Sequence, residues 1–241
     1  MLRKALKPLV NLIYPKKCLA CSTRLATETT NVFTCRACDE AIKKNLPPFC
    51  ISCGRQLEKK SFAKNICVDC QRRKLHFDRA FSPCRYEGVI KELLHQFKYK
   101  GKDYLGEPLG KIMTDFIREY NLPIDYLDCV IPVPLHKVKL REREFNQAKV
   151  LGEKIARSFQ KDLLDSVLVR KRHTKAQAEL EKNARLLNVR DSFAVTESSL
   201  VKNKNILLVD DVLTTGATCS EAAKSLKGSG ANIVFVLTLA N

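Results

Sequence analysis

The sequence predicts an α/β protein in which a parallel sheet flanked by helices is preceded by a small zinc-ribbon domain. Three observations point there. Eight of the eleven cysteines form four C-x-x-C pairs near the amino terminus. From about Tyr86 onward, short apolar strands alternate with amphipathic helices, the pattern of a parallel sheet covered on both faces. One of those strands, in NILLVDDVLTTGATCSEAA, ends in two adjacent aspartates, followed by a threonine- and glycine-rich turn and another helix.

The opening MLRKALKPLVNLIYPKKC is basic, and Lys7 and Pro8 interrupt its apolar stretch. No small-residue cleavage site follows, so a signal peptide is not expected. No run approaches the roughly 20 apolar residues that cross a bilayer. A cytoplasmic location follows, and there thiols stay reduced. The pairs Cys18/Cys21, Cys35/Cys38, Cys50/Cys53 and Cys67/Cys70 then read as metal ligands. Both units are CxxC-x13-CxxC, and each cysteine of the second lies 32 positions after its counterpart in the first. Two residues between cysteines let both thiolates reach one ion, and two such knuckles complete a tetrahedral four-sulfur shell for structural Zn²⁺. Sequential quartets are the simplest assignment, with crossed pairing left open. Redox pairs and disulfides explain four pairs in register poorly. Cys84, Cys129 and Cys219 fall outside the pattern and read as small buried apolar side chains.

Lys and Arg outnumber Asp and Glu by 43 to 26, a net +17. Such a balance favours polyanionic partners. The expected domains are residues 1–80, the double zinc ribbon, and 81–241, the α/β unit. The first carries 17 Lys or Arg against 6 Asp or Glu (+11), the second 26 against 20 (+6). Two four-thiolate zinc sites lower the first figure to roughly +7. The ribbons hold few aromatic residues, which argues against stacking of single-stranded bases on them.

In the second unit, VIKELLHQFKYKG carries Val89, Ile90, Leu93, Leu94 and Phe97 at helical spacing, with Gly101 as a stop. YLGEPLGKIMTDFIREY and FNQAKVLGEKIARSF read as helices, and so does TCSEAAKSLKGSG. CVIPVP, SVLVRKR, NILLVDD and NIVFVLTLA read as strands.

Ligands of parallel sheets gather at the carboxyl ends of the strands, which places Asp210 and Asp211 in a crevice. Thr214, Thr215, Gly216, Ala217 and Thr218 turn the chain into the next helix, whose amino-terminal N–H groups and dipole suit an anion. Gly216 permits the tight turn and the close approach of a phosphate. Neither G-x-x-x-x-G-K-S/T nor G-x-G-x-x-G is present. A phosphate beside groups that want carboxylate acceptors describes a ribose 5-phosphate, its 2- and 3-hydroxyls donating to the aspartates.

ILLVDDVLTTGAT, residues 206–218, resembles the signature of type I phosphoribosyltransferases. IPVPLHKVKLREREFNQA, RKRHTKAQAELEKNARLLNVRDSF and the cysteine pairs extend the likeness, over nearly the whole chain, to the ComF family of competence-associated phosphoribosyltransferase-like proteins. That resemblance implies a type I phosphoribosyltransferase-like domain after a double zinc ribbon. It implies phosphoribosyl pyrophosphate (PRPP) as ligand, Mg²⁺ accompanying it, and pentosyl transfer to a nitrogen nucleophile. Asp210 and Asp211 would serve the ribose hydroxyls and residues 214–218 the 5-phosphate. Pro134, Leu135, His136 and Lys137 are the candidates facing pyrophosphate. The polar, basic segment 170–190 reads either as a solvated helix and loop or as a lid, with Arg172, Thr174, Gln177 and Arg185 as contacts; the resemblance favours the lid. It also brings in DNA uptake, with single-stranded DNA and competence helicase machinery as candidate partners. A non-catalytic factor that handles single-stranded DNA is the alternative to an enzyme. Phe97, Lys98 and Tyr99 are guesses for a hood over the acceptor. Relatives usually read R-G-F-N-Q where this chain has Arg143, Glu144, Phe145, Asn146 and Gln147. Glutamate adopts positive φ less readily than glycine, and it adds negative charge beside the expected anion site.

Overall fold

The structure is a computed structural model that describes residues 16–25, 33–58, 61, 64–172 and 189–241. Two short helices, α1 (Arg36–Glu40) and α2 (Val68–Gln71), belong to the cysteine units. Then follow β1 (Arg79–Phe81), α3 (Gly88–Tyr99), α4 (Gly106–Glu119), β2 (Cys129–Pro132), α5 (Lys137–Arg143), α6 (Gln147–Phe159) and β3 (Asp162–Leu163). β4 (Leu168–Arg170), β5 (Phe193–Val195), β6 (Asn205–Val212), α7 (Ala217–Gly228) and β7 (Ile233–Ala240) complete the order. Among the described residues no helix is long and apolar enough to cross a membrane.

Five strands form one parallel sheet in the order β1-β7-β6-β2-β3. The expected helices form where apolar residues recur at helical spacing. Ile90, Leu93, Leu94 and Phe97 of α3 are buried, and Gly101 follows at φ +60. β6 is central and apolar on both faces, because helices cover both. Ile206 and Leu208 share a core with Cys219, Ala222, Ala223 and Leu226 of α7. Leu207 and Val209 face Leu94, Phe97, Met113, Leu151 and Ile155 of α3, α4 and α6. Successive residues of a strand alternate between faces, so one eight-residue strand serves two cores.

SVLVRKR does form a strand, but β4 pairs antiparallel with β5 in a separate two-stranded sheet. β1 continues the main sheet at its edge, where no strand was expected. α5 forms where no helix was expected, and it ends on Glu144 at φ +67. Glutamate therefore takes the left-handed conformation that glycine adopts without penalty. An exposed residue held there costs about 1 kcal/mol, partly offset by the lower unfolded-state entropy of a non-glycine residue. Glu144→Gly should raise stability by roughly 0.5 kcal/mol, measured as a small upward shift of the urea midpoint at unchanged slope.

The two cysteine units are built alike and placed differently. In each, a knuckle holds two cysteines, and a third caps the short helix that carries the fourth. Ser22 and Gly54, 32 positions apart, both have positive φ, at +63 and +71. Ser22 is exposed. A Cβ on Gly54 would lie 2.5 Å from the Ala80 carbonyl oxygen, because this knuckle lies directly on β1, with Ala80 N–H donating to Ser52 O at 2.7 Å. Only glycine fits there. The second unit is thus fused to the sheet. Cys50, Cys53, Leu57 and Cys70 share a core with β6 and α7, whereas Cys18, Leu25 and Cys38 form a small cluster of their own.

Candidate active site and metal centres

The four thiol sulfurs of Cys18, Cys21, Cys35 and Cys38 lie within 4.8 Å of one another, and so do those of Cys50, Cys53, Cys67 and Cys70. All eight are free of disulfides. Cys21 and Cys35 sulfurs are 3.7 Å apart, as are those of Cys53 and Cys67. A tetrahedron with Zn–S bonds of about 2.3 Å has edges of about 3.8 Å, so these edges match a zinc shell and the other sulfurs lie close to one. The sequential grouping is the one the fold brings together.

All carboxyl ends of the main sheet face one edge. Pro132 of β2 pairs with Val209, and Asp210 pairs with Thr238 of β7. Strand alternation sends the two aspartates to opposite faces. Asp210 points toward α7, where the Cys219 thiol donates to its Oδ2 at 3.6 Å, while its Oδ1 accepts from the Asp211 N–H at 2.9 Å. Asp211 points toward α3 and meets Lys98 Nζ at 2.9 Å, with side chains only 12% and 16% exposed. The carboxylates fork around the strand end.

Their electrostatics differ accordingly. Burial, and then the charge of Asp211, push the Asp210 carboxyl up to about 7. Burial pulls Lys98 down, but Asp211 and Asp210 more than offset it, so the ammonium holds its proton above the usual lysine range. Arg170 of β4 is half-buried over the Phe193 ring at 5.3 Å. Burial lowers its guanidinium, the Asp210 charge opposes that, and the Arg143 charge adds to it. Arg143 lies 5.1 Å from the Tyr99 ring and donates to Gln147 Oε1 at 3.0 Å. Lys98 pairs with Asp211, Arg170 feels the Asp210 charge and Arg143 lies within electrostatic reach of Arg170, an arrangement suited to a ligand that carries hydroxyls at one point and phosphates at others.

Residues 213–216 turn the chain from β6 into α7, with Gly216 at φ +78 preceding the helix. Thr215 is buried, and its Oγ1 accepts from the Ala217 N–H at 3.3 Å; Thr214 is exposed and Thr218 half-buried. Pro134, Leu135 and His136 follow β2 beside this edge and are half-buried, and Lys137 is exposed. His136 has a capping role, its Nδ1 accepting from Val138 N–H at 3.3 Å to start α5. Asn146 ties the start of α6 to this loop by donating to Val133 O at 3.1 Å.

Of the lid candidates, Arg172 is exposed just past β4, while Thr174, Gln177 and Arg185 lie outside the described residues. Phe97 is fully buried in the core, which removes it from any hood. Lys98 belongs to the aspartate pair. The signal for it was present in the sequence: it stands four residues after Leu94, on the buried face of α3, and a lysine there calls for a counter-ion. Arg143 and Arg170 had no comparable signal.

Residues 9–71 match the family model for a double zinc ribbon domain, and residues 146–241 match that for a phosphoribosyl transferase domain. Competence protein F of Haemophilus influenzae is 27% identical over 93% of this chain and 96% of its own length. Competence protein ComFC of Bacillus subtilis is 28% identical over 90% of this chain and 91% of its own. The chain is a homologue of these competence proteins and joins a double zinc ribbon domain to a phosphoribosyl transferase domain. DNA utilization protein YhgH of Salmonella typhi is a further similar protein, 26% identical over 95% of this chain and 98% of its own. In this chain the parallel sheet and the double zinc ribbon are joined through the second cysteine quartet.

Proposed function

We propose that the crevice at the carboxyl edge of β6 binds PRPP and that residues 1–80 serve, as the zinc-bearing unit, the phosphoribosyltransferase unit of residues 81–241. The observation that carries this reading is the forked pair Asp210 and Asp211, set immediately before a Gly216 turn that opens onto the amino terminus of α7. Carboxylates accept from the ribose hydroxyls, and the turn and helix end donate to the 5-phosphate. Residues 134–137, Arg143 and Arg170 stand on the side where pyrophosphate would lie. Mg²⁺ enters with PRPP as part of the ligand. Lid closure by segment 170–190, with Arg172, Thr174, Gln177 and Arg185 as contacts, belongs to the same reading.

If the chain is an enzyme, the ribose C1–O bond to pyrophosphate breaks as a nitrogen nucleophile forms its bond to C1. Positive charge develops on the ring, and the carboxylates lie near it; the departing pyrophosphate gathers charge near the arginines. Incubation with PRPP, Mg²⁺ and a panel of purine and pyrimidine bases, assayed by pyrophosphate release, tests this step. Release that needs one base and is lost in Asp211→Asn supports it; no release with any acceptor, from a protein that binds PRPP, leaves a binding site without transfer.

A second reading rests on charge. Lys16, Lys17, Lys43 and Lys44 are all exposed around the first ribbon, which suits a polyanion. Together with the names of the relatives, this supports a cytoplasmic role in handling single-stranded DNA during uptake, alongside competence helicase machinery. Unchanged transformation after deletion of the gene in a competent host would contradict it.

A further inference from the structure

The second cysteine quartet does more than anchor a ribbon. Arg73 stands three residues after Cys70 and donates from Nη1 to the Thr215 carbonyl at 3.1 Å. Its side chain is 21% exposed, and its other nitrogen lies 3.7 Å from Asp69, which also meets Arg55 at 3.3 Å. Asp69 sits on α2 between the ligands Cys67 and Cys70. The next residues cover the turn: a Cβ on Gly216 would come within 3.3 Å of Leu75 and 3.7 Å of Phe77. His76 N–H donates to Ser220 Oγ at 3.1 Å, one turn into α7. A cavity of about 10 Å³ is lined by Cys53 and Cys70 and by Leu213, Thr214, Thr215 and Gly216.

A trans peptide is planar, with C=O and N–H pointing in opposite directions. Holding the Thr215 carbonyl on Arg73 therefore aims the Gly216 N–H away from the ribbon, toward the mouth of the turn. Arg73 is itself held by Asp69, whose helix begins on one metal ligand and carries another. The core cluster of the first quartet lies elsewhere, holding Cys18, Leu25 and Cys38 with Ala20, Cys35 and Val89 around them.

We propose that Arg73 is a positioning residue for the phosphate turn, and that through it the second zinc centre and the phosphate site strengthen each other. This rests on the PRPP-site reading above. Coupling between sites is reciprocal. Zinc at the second centre tightens binding of ribose 5-phosphate, and ribose 5-phosphate tightens zinc at that centre alone, each by about tenfold.

The test uses the full zinc-loaded chain and its Arg73→Ala and Arg73→Lys variants. Calorimetry with ribose 5-phosphate and, separately, with magnesium pyrophosphate reads the two halves of the site. Competition with a chelator of known affinity, with and without ribose 5-phosphate, reads the zinc ions. Arg73→Ala should keep both zinc ions, hold pyrophosphate affinity within about twofold and lose about tenfold or more on ribose 5-phosphate. Arg73→Lys, still able to donate to the carbonyl, should recover part of that loss. Ribose 5-phosphate should tighten one of the two zinc ions in the native chain and neither in Arg73→Ala. Native affinity for ribose 5-phosphate in Arg73→Ala, or equal protection of both zinc ions, overturns the proposal. A native chain that binds neither ligand overturns the phosphate-site reading and this proposal with it.

Discussion

Asp210→Asn should stabilise the protein at pH 8 while Asp211→Asn destabilises it, although the two residues are adjacent. The Asp210 carboxyl is pushed up to about 7 from an ordinary value of 3.8, by burial first and by Asp211 second. Between those values the native state keeps a proton that the unfolded chain releases. Stability therefore falls as pH rises from about 4 to about 7, and the full penalty is present above that range. Asparagine carries no such charge. Asp210→Asn should be near neutral at pH 4 and gain on the order of 3 kcal/mol at pH 8. Asp211 instead neutralises Lys98 at 2.9 Å inside the protein. Removing that charge strands a mostly buried ammonium, at a cost of about 3 kcal/mol near neutral pH. Urea unfolding of both variants at pH 4.5 and 8 checks the pair of signs. Two destabilised variants at pH 8 would mean that Asp210 is compensated in a way its surroundings do not provide. A group that costs stability in the unliganded fold, at the mouth of a crevice, is what a site built for a ligand contains.

Loss of one zinc ligand should have very different consequences in the two units. Metal binding contributes on the order of 10 kcal/mol at such sites, but only the second is part of the main core. Cys53→Ser removes a ligand whose neighbours include the Leu213 turn and β6, and it should lower the main melting transition by 10 °C or more or prevent soluble accumulation. Cys21→Ser touches an exposed knuckle beside a separate small cluster. It should release one zinc ion and shift the main transition by no more than about 3 °C. Zinc stoichiometry and calorimetric scanning of both variants read the difference; equal shifts would contradict the fusion of the second unit with the sheet.

Much of this was legible from residue pattern. The helices α3, α4 and α6 announce themselves by apolar spacing, and the cysteine repeat by its offset of 32. Two aspartates at the end of an apolar strand are forced into a crevice by the rule that parallel strands present their ligands at the carboxyl edge. What escaped was short or decided by distant partners. β1 is three residues, RAF, too few to show a period. SVLVRKR reads as a strand, but its antiparallel partner lies beyond a 22-residue connection, so its own sequence does not say which sheet it joins. Glu144 argues against a left-handed residue, and neighbouring elements impose one. Segment 72–78 looks like a featureless basic connector. Its role appears only where Arg73 meets Thr215, 142 positions later in the chain.

The central claim is that the forked aspartates and the Gly216 turn hold PRPP. Calorimetric titration of PRPP into the zinc-loaded chain, with and without Mg²⁺, tests it most directly when repeated on Asp210→Asn/Asp211→Asn. The expected result is one site per chain, dependent on Mg²⁺ and absent in the double variant, whose fold is confirmed by its zinc content and circular dichroism. No heat of binding from the folded native chain, or equal binding by the double variant, would contradict it.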